Sequence, residues 1–173
     1  NHIESLTKKK ILIGPSSFAE HDNAPRKILN SAGFQVIENP FKRKLTKNEL
    51  LRLLSKDVLG LIAGLEPLDR EVLKESNLNV ISRVGAGLSN IDLDAAKEFK
   101  IDVCYTPDGP TRSVAEFTLL QILSLCRRLP EVTNSTNEND FRRHLLEGRE
   151  LQDMTVGLVG LGNVGMLVSE RLK

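Results

Sequence analysis

Short apolar runs alternate with amphipathic stretches along the first two thirds of this chain. Ile11-Leu12-Ile13, Phe34 to Ile37, Val58 to Ala63, the stretch opening at Val80-Ile81, and Val103-Cys104-Tyr105 read as strands. The intervening stretches carry helix signals. Pro25 to Ala32 is helical and Gly33 stops it, because glycine enters the left-handed conformation of a helix end without a Cβ clash. Thr46 and Glu49 stand at capping-box spacing, and Leu45 and Leu50 flank them as a hydrophobic staple. Leu50, Leu53 and Leu54 form the apolar face of that helix. Asp69 caps the next helix, which turns Val72 and Leu73 inward, and Asp92 caps a fourth that reaches Phe99. Strands that are apolar throughout, each separated by a helix, predict a parallel sheet covered on both faces. The first unit is therefore expected to be an α/β, flavodoxin-like doubly wound sheet running to about residue 105.

The pattern then changes. Val114 to Leu129 is apolar around most of its circumference, with a narrow polar stripe at Gln121, Ser124 and Arg128. Such a helix is expected to be buried between domains or between subunits. Ser113 and Glu116 stand at capping-box spacing, and Pro130 is expected to end the helix. Glu131 to Glu147 is polar, with a helical patch near Phe141, Leu145 and Leu146. Then Thr155 to Gly165 reads T-V-G-L-V-G-L-G-N-V-G. Val156 to Val159 is read as a strand leading into Gly160-x-Gly162-x-x-Gly165. In a dinucleotide-binding unit these glycines make a tight turn, admit the pyrophosphate, and let helix and strand pack closely. The backbone N–H groups of Asn163 and Val164, at the start of the next helix, would face an anion. No Gly-Lys-Ser/Thr follows, which excludes a Walker loop. Only Met166 to Lys173 come after the fingerprint, so residues 106–173 are expected to be a linking helix and a truncated Rossmann domain, and the chain a piece of a longer protein. The residue that would distinguish NAD from NADP is expected beyond Lys173, leaving both open.

Composition narrows the classes. The chain is 40% hydrophobic and 27% charged, with a formal net charge of +1. That charge gives no field to recruit nucleic acid or an anionic membrane. Cys104 and Cys126 lie in apolar stretches and read as buried free thiols in a reducing compartment, which makes the cytoplasm the expected location. No cysteine or histidine spacing suggests a metal. His2, His21 and His144 read as surface residues.

Three segments together resemble one family. Ile81-Ser-Arg-Val-Gly-Ala-Gly-Leu-Ser-Asn-Ile-Asp92 resembles the substrate loop of the D-isomer-specific 2-hydroxyacid dehydrogenases. Tyr105-Thr-Pro-Asp-Gly-Pro-Thr-Arg-Ser-Val-Ala-Glu116 is similar to the entry into that family's hinge helix. Gly157-Leu-Val-Gly-Leu-Gly-Asn-Val-Gly165 matches its nucleotide turn. Asn39-Pro-Phe-Lys-Arg-Lys-Leu-Thr46 and Gly64-Leu-Glu-Pro67 look most like the phosphoglycerate dehydrogenase subgroup.

The resemblance implies two doubly wound domains with the active site in the cleft between them, the first binding a small anionic 2-hydroxy or 2-oxo acid and the second NAD. It implies that the arginine, glutamate and acid–base histidine of the chemistry follow the nucleotide turn. No catalytic residue is therefore assigned in this chain, which is expected to be inactive by itself. Gly85 and Gly87 let backbone approach a small anion, and the N–H groups of Val84 and Gly85 are expected to bind the substrate carboxylate. Arg83 reads either as a clamp on a substrate anion or as half of a structural ion pair. By resemblance Ala86 touches the nicotinamide end of the cofactor, which otherwise rests on Gly160, Gly162, Asn163, Val164 and Gly165. Asn90 is expected to close its own turn, and Asp92 to cap. Thr111, Arg112 and Glu116 lie near the expected cleft, where capping and solvation account for them equally well.

The chain departs from the subgroup in three places. An acid, Glu66, lies in the loop after the third strand, where some phosphoglycerate dehydrogenases offer a second arginine. Ser89 replaces an aspartate, and Pro110 an asparagine. The apolar helix suggests a homodimer. Three alternatives stay open: an NAD-sensing, non-catalytic corepressor-like relative, a dehydrogenase for glyoxylate or another small 2-oxo acid, and a stand-alone anion-binding or dimerisation module.

Overall fold

The computed structural model describes residues 9–137 and 147–173. The patch expected around Phe141, Leu145 and Leu146, together with His2 and His144, lies outside them. The chain divides into two compact units, Asn1–Pro107 and Asp108–Lys173.

The first unit alternates strand and helix throughout: β1 (Lys10–Ile13), α1 (Ala24–Ser31), β2 (Gln35–Glu38), α2 (Lys47–Leu53), β3 (Val58–Ala63), α3 (Arg70–Glu75), β4 (Val80–Arg83), α4 (Leu93–Glu98) and β5 (Asp102–Tyr105). All neighbouring strands pair in parallel, in the order β2-β1-β3-β4-β5. This is the flavodoxin-like order, in which the direction of winding reverses between β1 and β3.

Local chemistry starts and stops these helices as the sequence predicts. Thr46 and Glu49 form the reciprocal box: the Thr46 N–H donates to Glu49 Oε2 at 2.9 Å, and the Glu49 N–H to Thr46 Oγ1 at 3.4 Å. Leu45 and Leu50 on either side are both buried. Asp69 accepts from the Val72 N–H and Asp92 from the Ala95 N–H. Gly33 follows α1 at φ +83°. Arg43 donates to both oxygens of Glu49, and this with the Thr46 N–H holds the Glu49 carboxyl at about 2. Its ordinary value is 4.5. A carboxyl depressed on folding stabilises the fold above its unfolded value and loses that contribution as pH falls through the folded one. The capping box should therefore weaken between about pH 4.5 and pH 2. Urea midpoints of the wild type and Glu49→Gln should converge over that window; a constant gap would show that the carboxylate is not the group responsible.

The main core lies on one face of the sheet, where α2, α3 and α4 pack. Leu12, Leu61 and Ile81 from the strands meet Leu50, Val72, Leu73, Ala95 and Ala96 from the helices, all fully buried or nearly so. Each of the large side chains contributes about 1.5–3 kcal/mol by leaving water. The opposite face is thinner. Ile11, Ile13 and Ile62 are covered by Phe18, Leu29, Phe34 and Val36. That cover does not extend over β4 and β5, where exposed residues alternate or dominate. The expectation of full cover on both faces is corrected here: α1 alone packs on the second face and does not reach the far strands. For the same reason Cys104, on β5, is exposed rather than buried, while Cys126 in the second unit is intermediate; both are free thiols.

The second unit contains α5 (Thr111–Cys126), α6 (Leu129–Asn137), a 3-10 turn (Leu151–Asp153) and α7 (Asn163–Arg171). Two expectations are corrected. The long helix breaks before Pro130: Arg128 turns at φ +53°, and Pro130 sits in the first turn of α6, where its missing N–H costs nothing. Ser113 does not cap α5, which opens two residues earlier behind Pro110. In α5, Val114, Phe117, Leu120, Leu123 and Leu125 are exposed, and Ala115 is its one buried residue. None of the described helices is long and apolar enough to cross a membrane.

Candidate functional site

The candidate chemistry gathers at two glycine turns, one in each unit. In the first unit β4 ends at Arg83 and the chain turns through Val84-Gly85-Ala86-Gly87 at the carboxyl edge of the sheet, where doubly wound folds receive ligands. Gly85 is at φ +129°, and a Cβ there would lie 2.8 Å from Arg83 Nη1. The positive φ favours glycine. The Arg83 side chain thus folds back over the turn. It is 7% exposed, makes no ion pair or hydrogen bond with any described residue, and its Nε is buried without a partner. The structural ion pair considered for Arg83 is absent among the described residues.

The two N–H groups expected to hold a carboxylate already have acceptors. The Val84 N–H donates to Ala63 O at 2.9 Å and extends the β3–β4 ladder. The Gly85 N–H donates to Thr106 Oγ1 at 2.8 Å, and the Thr106 N–H returns a bond to Gly85 O at 3.2 Å. Thr106 lies within a motif quoted above, yet its partner is visible only once β4 and β5 are paired, with Arg83 opposite Tyr105. Ala86 is exposed at the tip of the turn.

The exit of the turn is fixed by the neighbouring loop. Asn90 does not close its own turn. Its Nδ2 donates to Gly64 O at 3.2 Å and Glu66 O at 2.8 Å, because parallel pairing of Leu68 with Ile91 brings the two loops side by side. Glu66 is 1% exposed, and its carboxylate accepts from the Gly64 N–H at 2.8 Å. It points into the sheet edge against Gly14, whose Cβ position it overlaps. The acid in this loop is therefore committed to structure.

In the second unit Gly160 is at φ +96° and Gly162 is the N-cap of α7. A Cβ on Gly165 would collide with Gly160 O, so this glycine allows the helix to start against the turn. A Cβ on Gly162 would meet no protein atom within 4 Å, which leaves that face open. The Asn163, Val164 and Gly165 N–H groups, in the first turn of α7, donate to no described residue. Asn163 Nδ2 donates to Asp108 Oδ1 at 3.0 Å. Open N–H groups at a helix start behind a glycine turn suit a pyrophosphate. The expected strand Val156 to Val159 does not form: the segment joins no strand among the described residues, it bends at Val159, and Val159 is fully exposed. A strand exists only as part of a ladder. Thr111 opens α5 without capping it, and Arg112 and Glu116 face solvent.

A parallel sheet of this order, a glycine turn with the buried Arg83 beside it, and a second glycine turn at a helix start mark a doubly wound α/β chain. The sequence model for the D-isomer specific 2-hydroxyacid dehydrogenase catalytic domain matches residues 17–165. The D-3-phosphoglycerate dehydrogenase of Homo sapiens is 36% identical over 167 residues, which is 95% of this chain and 30% of that enzyme. A Thermus thermophilus crystal structure superposes with a TM-score of 0.80 at 29% identity, over 94% of this chain and 52% of that one. The cofactor (NAD+)-bound 3-phosphoglycerate dehydrogenase of Entamoeba histolytica superposes with a TM-score of 0.73 at 30% identity, over 95% of this chain and 50% of that one. The chain belongs to the D-isomer specific 2-hydroxyacid dehydrogenase family. It spans between about a third and a half of the length of these relatives.

Proposed function

We propose that this chain carries the acid-binding unit and the opening of the nucleotide unit of an NAD-dependent dehydrogenase acting on C2 of a D-2-hydroxy acid related to 3-phosphoglycerate. The observation that carries this reading is Arg83. The Arg83 residue is 7% exposed, its Nε is buried without a partner, and no described acid pairs with it, an arrangement that a ligand's negative charge would relieve. Its planar donors match a carboxylate or phosphate. Arg83 supplies the charge of the acid site, Val84 and Gly85 line it with their N–H groups already bonded within the fold, and Ala86 stands at its rim. The α7 turn, through Gly160, Gly162, Asn163, Val164 and Gly165, holds the dinucleotide, and NAD when bound exchanges the hydride. NADP is equally compatible with these residues. None of the residues here is assigned proton transfer, and the chain by itself is inactive in this reading.

The resemblance to phosphoglycerate dehydrogenases, and Glu66 being turned away from the β4 turn, favour a substrate with a second anionic group. The exposed apolar positions of α5 are read as a homodimer contact. The free thiols fit a cytoplasmic location. Binding of D-3-phosphoglycerate and of D-lactate, followed by chemical shifts of the β4-turn amides, tests the reading. Phosphoglycerate should bind more tightly, and Arg83→Met should weaken it by at least about tenfold, the loss expected for a hydrogen bond to a charged group. Equal affinity of the wild type and Arg83→Met would remove Arg83 from the site.

A further inference from the structure

We propose that the cavity at the carboxyl ends of β1 and β2 binds a small zwitterion, with the ligand carboxylate at Lys42 and the ligand ammonium at Glu20. The cavity measures about 610 Å³, and the loops that follow β1 and β2 line it. That edge of an open α/β sheet is where ligands ordinarily enter. None of the lining residues belongs to the β4 turn, and β3 stands between the two places. The charged groups of the cavity sort into one bonded pair and two single charges. Arg26 pairs with Glu38, so those charges cancel within the wall. Glu20 and Lys42 are exposed, make no ion pair with any described residue, and do not pair with each other. An anion alone meets Glu20 as well as Lys42, and a cation alone meets the reverse. A molecule that carries both signs answers both.

Both loops are braced in a way that holds these two charges in place. Asn39 is 7% exposed. Its Nδ2 donates to Gly14 O at 2.6 Å and to Arg43 O at 2.7 Å, and its Oδ1 accepts from the Phe41 N–H at 2.9 Å. The Asn39 side chain thus grips the main chain on either side of Lys42 and ties that loop to the end of β1. Arg26 braces the other loop: its Nη2 donates to Phe18 O at 2.9 Å, while its Nη1 holds Glu38. Ala19 at φ +56° and Lys42 at φ +51°, one in each loop, stand in the left-handed region. There the Cβ crowds the following carbonyl oxygen, so a residue other than glycine persists only where its surroundings hold it. The bonds of Asn39 and Arg26 supply that hold. Strain kept in two loops around one cavity is the kind that collects at a ligand clamp. Ser16 and Ser17, whose hydroxyls bond to no described residue, add donors and acceptors to the same cavity.

Glycine, β-alanine, γ-aminobutyrate and ε-aminohexanoate carry the same two charges at increasing separation. Each is titrated into the wild type, with the amides of residues 16–20 and 41–43 followed by NMR. Butylamine and butyrate, with one charge each, are the controls. One member of the series should give saturable shifts in both loops and bind at least about fivefold more tightly than either control, the scale of one exposed charge contact. Lys42→Gln and Glu20→Gln should each lose about fivefold in affinity for that ligand. The double reversal, Glu20→Lys with Lys42→Glu, should bind it better than either single reversal. These substitutions fall at exposed positions, and unmoved β1 and β2 amides in the free variants show an intact sheet. Controls that bind as well as the zwitterions, shifts confined to one loop, or unchanged affinity in both glutamine variants overturn the proposal. So does a wild type whose loop amides none of the series moves.

Discussion

Gly14→Ala is expected to destabilise the first unit by about 3 kcal/mol or more. A Cβ on Gly14 overlaps Glu66 Oε1 and would lie 2.8 Å from Glu66 Cδ. At the surface such a side chain would swing aside. Here it is 1% exposed, and its carboxylate holds the Gly64 N–H at 2.8 Å. Its main-chain oxygen is also bound, by Asn90. Moving it sacrifices a hydrogen bond to a charged group, about 1.5–3 kcal/mol, in addition to the overpacking strain of about 1–3 kcal/mol. For a unit of this size the melting temperature should fall by more than about 10 °C. Gly87→Ala, with no heavy atom within 4 Å of its Cβ, is the control and should shift stability by less than about 0.5 kcal/mol. Glu66→Ala placed in the Gly14→Ala background removes the overlap, so the two losses should fall short of adding. A Gly14→Ala chain that melts with the wild type would mean that Glu66 is not wedged where the structure puts it.

The second large effect concerns the nucleotide turn. Gly162→Ala and Gly165→Ala should both weaken NADH binding, for different reasons. At Gly165 the new methyl collides with Gly160 O of the protein itself, so α7 must move off the turn and the free chain should lose thermal stability. At Gly162 the free chain accommodates the methyl, with nothing within 4 Å, and only an approaching pyrophosphate meets it. The expected pattern is an unchanged melt with at least about tenfold weaker NADH binding for Gly162→Ala, and both defects for Gly165→Ala. Fluorescence titration beside thermal melts reads this directly. Undiminished affinity in Gly162→Ala would place the dinucleotide elsewhere, and a wild type that binds none would remove the turn as a cofactor site in this chain.

The order of elements in the first unit was legible from the residues because its signals are local. Apolar runs of strand length, the Thr46–Glu49 box and the Asp69 and Asp92 caps depend on neighbours within four positions. The same holds for the need for glycine at positions 85 and 160, where φ is positive. What the tertiary structure decided is which partners distant groups find. Strand order put Thr106 against Gly85, and loop pairing turned Asn90 toward Gly64 and Glu66. Arg83 came out buried with no counter-charge among the described residues. The segment from Val156 to Val159 has a strand's composition and no ladder to join, which shows the other side of the rule. Periodicity and caps are properties of a short stretch of chain, whereas a strand, an ion pair or a hydrogen-bonded site exists only where folding brings a second stretch to meet the first.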